Sequence, residues 1–182
     1  MKRSIIAVTV LSSLFMSAGN AAEVENAMGT LIINGKVVGT TCQFLNGSDN
    51  ATIEMSEIGI DQFENVQVGA PVTTYSNTTS LPLKVKCEVG AEPRITFSST
   101  QFEGAGLNIT RNTGDANDVG FAVFYGQEAS TGNQITGNKP VELTPSANGE
   151  YDLHFTAQYA KAGADVSKGG VNSTITMTVV AD

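Results

Sequence analysis

The side chains able to do chemistry in this chain are few and poorly grouped. Cys42 and Cys87 are the only cysteines and His154 is the only histidine in 182 residues. Two thiols can close a disulfide or, with two further ligands, hold a metal ion. No cluster of His, Asp or Glu flanks either cysteine, so the metal alternative lacks partners. His154 alternates with Tyr151, Leu153, Phe155, Ala157 and Tyr159. In a strand it falls on the face opposite that row, the place of a surface or sheet-edge residue rather than a general base. Serine and threonine are plentiful, but no Gly-x-Ser-x-Gly elbow occurs, and a hydroxyl without a base is inert. Glu54, Glu57, Asp61, Asp115 and Asp118 have no calcium-loop spacing and are explained by turn capping and solvation. Asn-x-Ser/Thr triplets begin at Asn46, Asn50, Asn77, Asn108 and Asn172, and follow from the abundance of Asn and Thr. With no Trp and 7% aromatic residues, stacking platforms for a sugar are scarce. The reading is a non-enzyme with no cofactor and no metal.

Residues 1–22 have the form of a signal peptide. Lys2 and Arg3 supply the positive start, Ile5 to Met16 the apolar run, and Ser17 to Ala22 the small-residue exit, with cleavage after Ala21 or Ala22. The apolar part is too short to span a bilayer. Export favours the disulfide reading of the two cysteines. Closing a loop of about 45 residues would contribute about 3–4 kcal/mol, with the mechanism model-dependent. Without the signal, eight basic side chains face 18 acidic ones, a balance of −10. Nucleic acid needs a basic patch and is excluded as a partner. The acidity is that of a solvated, self-repelling surface.

The elements that must position these residues are strands. Short apolar runs alternate with Gly, Asn, Ser and Pro clusters along the whole mature chain, and no segment shows a 3.6-residue period of helical length. Asn46 to Asn50 is a strong turn signal, followed by Ala51 to Ile58 with Ile53 and Met55 in alternation. Residues 61–70 fit a connection or one helical turn as well as a strand. Ser80 to Val89 is the cleanest half-buried strand, with Leu81, Leu83, Val85 and Cys87 on one face and Lys84 and Lys86 on the other. Pro93 to Ser99 and Leu107 to Thr110 add shorter pieces. Val119 to Tyr125 is apolar on both faces, which predicts a central strand. Residues 126–139 form a hairpin tip, Pro140 to Leu143 a short strand, and Tyr151 to Tyr159 one continuous face. Gly169 opens the last run, in which Val171, Ile175, Met177 and Val179 alternate with polar or small residues up to Asp182. The fold class expected is all-β, an antiparallel sandwich in one domain.

One stretch organises the rest. In Gly29 to Val38, GTLIINGKVV, the side chains of Leu31, Ile33 and Val37 share a face with Gly29 and Gly35. A full apolar row near a terminus must be covered by some sheet edge, its own molecule's or a neighbour's.

Four features in this order resemble the chaperone–usher fimbrial subunits of Gram-negative bacteria, and in particular the major subunits of type 1 fimbriae. They are the signal followed by Asn34-Gly35-Lys36-Val37-Val38, then Cys42, then Cys87 at a strand end, then the alternating last strand introduced by Gly169. Tyr151 to Gly163 also looks like the strand and turn that precede the last strand in such subunits. The resemblance implies an immunoglobulin-like sandwich that is incomplete, its final strand supplied in trans. Its domains would be a signal at 1–22, a donor-strand extension at 23–38 and the subunit domain at 39–182. Strand addition between such subunits and their chaperone is an established mode of recognition. Residue by residue, the donor row would be Leu31, Ile33, Gly35 and Val37, and the groove edge Gly169, Val171, Ile175, Met177 and Val179. Asp182 would supply a terminal carboxylate for the chaperone, and Ala181 stands where the family commonly has an aromatic residue. The implied partners are a periplasmic chaperone, an outer-membrane usher and further copies of the subunit. The implied place is a fimbria on the bacterial surface, reached through the periplasm, with the chain as its repeating shaft component. A minor adaptor subunit, or a self-complete exported binding module for a glycan or host protein, are the other readings.

Overall fold

A computed structural model describes residues 29–37, 42–79 and 81–181. The expected signal peptide, residues 23–28, Val38 and Asp182 lie outside the described residues, and Val37 is described by its backbone alone. Thirteen strands account for about half of the described residues. In order they are β1 (Gly29–Val37), β2 (Cys42–Phe44), β3 (Asn50–Met55), β4 (Pro71–Thr78), β5 (Leu83–Cys87), β6 (Pro93–Phe97) and β7 (Phe102–Glu103). Then follow β8 (Ile109–Thr110), β9 (Val119–Tyr125), β10 (Val141–Glu142), β11 (Glu150–Leu153), β12 (Phe155–Lys161) and β13 (Val171–Ala181). Residues 60–63 form a 3-10 turn in the stretch for which the sequence allowed a single helical turn.

One layer is a five-stranded sheet in the order β10-β6-β13-β1-β3. The opposite layer is built from two three-stranded sheets, β11-β5-β2 and β4-β12-β9, joined where β11 passes into β12. Aromatic rings interlock between the layers: Phe97 of β6 meets Phe155 of β12 edge-on at 6.4 Å and Phe102 at 6.1 Å. The core runs through both layers and takes inward residues from β1, β3, β5, β6, β9, β12 and β13. This is an immunoglobulin-like all-β sandwich, stapled by the Cys42–Cys87 disulfide between adjacent strands β2 and β5. Lys84 and Lys86 project from β5 away from the core and pair with Asp152 and Glu150 of β11 at 2.9 and 3.0 Å.

The structure departs from the sequence reading in several places, among them Leu81, which is exposed and precedes β5 instead of sharing its inward face. Val119 to Tyr125 is not a central strand: β12 holds the middle of its sheet and β9 the outside. It is nevertheless buried, because the 133–135 segment folds back along its outer edge, with Ile135 N–H bonded to Val123 O and Tyr125 N–H to Asn133 O. The continuous face expected for Tyr151 to Tyr159 is broken at His154, where the chain leaves one sheet for the next. His154 therefore sits at a corner, its Nδ1 buried without a partner and its carbonyl accepting from Gly126 N–H. β4 was not legible as a strand, since Val72 is its one fully buried apolar residue. Finally, among the described residues every strand pair but one is antiparallel: β1 runs parallel to β13.

Candidate assembly groove

β1 lies between β13 and β3, and those two strands have no direct pairing with each other. Its register with β13 runs from Gly29↔Val171 to Val37↔Val179, and with β3 antiparallel from Gly29↔Met55 to Asn34↔Asn50. Both edges of the strand are thus hydrogen-bonded over most of its length. The period of two then decides which side chains go in. Leu31 and Ile33 are fully buried at 0% exposure, while Ile32 between them is 37% exposed. Burying the two inward side chains contributes about 3–6 kcal/mol before the cost of ordering the strand.

The walls are the residues that the sequence assigned to the groove edge. Val171, Ile175, Met177 and Val179 of β13 all point inward and are buried, as are Ile53 and Met55 of β3. Gly169 is not in the strand, which begins at Val171. It is the turn into it, at φ 148°, packed on Asp115 and Ala116 with no room for a side chain. The next residue is held there: Gly170 N–H bonds to the Asp115 carboxylate, and Gly170 O accepts from Ala116 N–H at 3.1 Å.

The floor comes from the opposite layer, and it explains the glycines. Gly29 lies over Tyr159 and Phe121, and Gly35 over the ring of Phe44; a Cβ at either position would overlap those rings. Gly35 N–H also bonds to Asp49 O at 2.7 Å, tying β1 to the turn before β3. Tyr159 donates its hydroxyl to Ser56 O at 3.0 Å and receives the Gly29 amide. Burial pushes its pKa up to about 12, the Gly29 bond opposing and Glu57 adding to the rise. Beside this end of β1 is a cavity of about 610 Å³ lined by Ile60, Phe63, Tyr159, Val166 and Val171 among others.

Sequence reasoning missed Phe44, Tyr159 and Ser173 as groove residues. Ser173 occupies an inward position of β13 between Val171 and Ile175, and is satisfied by Thr110 Oγ1 at 2.8 Å and Arg111 O at 2.8 Å. A polar residue interrupting an apolar alternation was the available signal. Among the described residues no three His, Cys, Asp or Glu side chains are placed to hold a metal ion.

A disulfide-stapled sandwich whose first strand completes the sheet beside its last is the class of protein that fold and groove define. The sequence pattern of the fimbrial protein family matches residues 31–181, and the chain belongs to that family. It is 33% identical over 190 positions to the fimbrial-like protein YehD of Escherichia coli (strain K12), covering the whole of both chains. It is also similar in structure to the CupB6 tip adhesin of Pseudomonas aeruginosa, with a TM-score of 0.46 and 16% identity over 82% of this chain. The chain spans 41% of that adhesin's length. Members of the family are fimbrial structural or adhesive proteins, exported to the cell surface and assembled with other fimbrial subunits. No helix among the described residues is long and apolar enough to cross a membrane.

Proposed function

We propose that this protein is a structural fimbrial subunit that polymerises by donating β1 to the groove of a neighbour, and that it forms the repeating shaft. The supporting observation is that, among the described residues, the first strand, separated from Cys42 by only four residues, is the strand paired with both β3 and β13. A strand so placed can be replaced by an equivalent strand from another copy without disturbing the rest of the sandwich. Each subunit would then give one strand and receive one. Such a contact is heterologous and does not close, so it propagates into a fibre. Before assembly a periplasmic chaperone would hold the groove through β13, with Asp182 as the terminal anchor, and an outer-membrane usher would pass the subunit to the growing fibre. On this reading residues 1–22 are the signal, 23–38 the donor extension and 39–182 the subunit domain.

The test is a thermal melt of the chain lacking residues 1–38, with and without a synthetic peptide spanning residues 27–40. Ligand that binds only the folded state raises the melting temperature by mass action. A large rise at excess peptide is the expected outcome. A truncated chain that is already stable and indifferent to the peptide would replace the donor reading with a self-contained binding module.

A further inference from the structure

We propose that Gln101, Thr110, Asn112 and Thr113 clamp the far edge of β13 and hold its first half in strand form whether or not a strand lies beside it, so that the acceptor edge is built before a donor arrives. The proposal rests on the polymerisation argued above and names the residues that prepare the receiving side.

The need follows from how β13 is paired. Its edge towards β1 is matched from Val171 to Val179, but its other edge meets β6 only from Met177 to Ala181. Residues 171–176 therefore have a strand on one side alone, and that strand is the one to be exchanged. A stretch with no strand on either edge opens easily. Ordering six backbone residues on docking would offset all that burying Leu31 and Ile33 contributes.

Side chains stand where a second strand is missing. Successive backbone groups of a strand point to opposite edges, and those of Asn172 and Thr176 face away from β1. Asn172 N–H donates to Asn112 Oδ1 at 2.8 Å, and Asn172 O accepts from Thr113 N–H at 2.7 Å and from Thr113 Oγ1 at 3.1 Å. Thr176 N–H donates to Gln101 Oε1 at 2.7 Å. Between these two anchors the buried Ser173 donates to Arg111 O and receives from Thr110 Oγ1, each at 2.8 Å. Sliding β13 by two residues would set Val171 or Ile175 against that carbonyl and hydroxyl and leave buried polar groups without partners. A slip of one would turn the inward row to the other face. The clamp thus fixes register as well as position.

Its own supports lie away from β1. Thr110 Oγ1 accepts from Phe121 N–H at 3.1 Å, Gln101 O from Arg111 N–H at 2.9 Å, and Asn112 Nδ2 donates to Ala116 O at 2.7 Å. Arg111 Nε donates to Thr100 O at 2.8 Å, which ties the 3-10 turn at residues 99–101 to the segment after β8. Removing β1 breaks none of these bonds.

The test is amide hydrogen exchange by NMR on the full exported chain. Ile33→Ala loosens β1. The amides of Ser173 and Ile175, which face β1, should then exchange about thirtyfold faster or more. Those of Asn172 and Thr176 should lag them by about tenfold or more, because the clamp still holds them. Equal acceleration at all four means that β13 melts together with β1, and overturns the clamp. Gln101→Ala gives a second reading. The Thr176 amide should exchange about twofold to tenfold faster, as for one lost hydrogen bond, and fibres counted by electron microscopy should form more slowly. Gln101→Glu keeps the acceptor oxygen and should restore both. An unchanged Thr176 amide in Gln101→Ala also overturns the clamp. A freed amide with fibres forming at the parental rate overturns its part in assembly. A parent chain that shows the expected exchange pattern and makes no fibres upholds the clamp and overturns polymerisation instead.

Discussion

Two residues of the groove set limits that single substitutions can measure. A side chain at position 35 has no space, because Gly35 lies on the ring of Phe44 and its amide is committed to Asp49 O. Gly35→Val is expected to lower stability by about 1–3 kcal/mol, the usual cost of overpacking. Adding Phe44→Ala should give a total loss smaller than the sum of the two single losses, by chemical denaturation, because the two residues touch. Tyr159 carries a different signature. Its folded pKa stands at about 12 against an ordinary value near 10, so the neutral phenol is favoured by folding. The raised value contributes stability that is fully present below pH 10 and is lost as pH rises towards 12. Denaturation across that range should show Tyr159→Phe losing less stability than the parent, by about 2 kcal/mol. Equal slopes in the two proteins would mean that the hydroxyl is not held out of water at this place in the fold.

At the scale of the element, β1 was legible as a strand and its inward face could be named, because a period of two in GTLIINGKV admits one partition of side chains. Its direction was not legible: an alternating row reads the same from either end. The direction is seen in the sheet, where β1 runs parallel to β13 from Gly29↔Val171 to Val37↔Val179. The same limit applies to β9, apolar on both faces, and to β12, which carries Thr156 and Gln158 on its second face and is buried all the same. β12 lies in the middle because β4 pairs with its second edge, while the 133–135 backbone covers the outer edge of β9, a contact with no periodic signal. β4 escaped for the opposite reason, its polar run being held by pairing to β12 rather than by burial of its own side chains. The alternation that was legible has a direct test. Ile33→Ala should cost about 2–5 kcal/mol, as a fully buried truncation does, and Ile32→Ala no more than about 0.5 kcal/mol. Comparable losses at the two positions in urea denaturation would mean that β1 does not hold this register.

For the whole molecule, the proposed polymerisation puts donor and acceptor in one chain, and that has a consequence for length. A subunit that accepts a strand and has none to give ends the fibre at the point where it enters. Deleting residues 23–38 while keeping the signal makes such a subunit, with β13, β3 and the disulfide unchanged. Co-produced with the intact chain at about one part in ten, it should shorten fibres to roughly ten subunits on average, since growth through a heterologous contact stops at the first terminator. The dependence is what matters: mean length measured by electron microscopy should fall as the inverse of the terminator fraction. A binding module complete in itself would leave length untouched, and a side-by-side association of whole sandwiches would dilute the truncated chain into fibres of normal length. The inverse law belongs to polymerisation through one donated strand per subunit, and a length independent of the truncated fraction would rule that mechanism out.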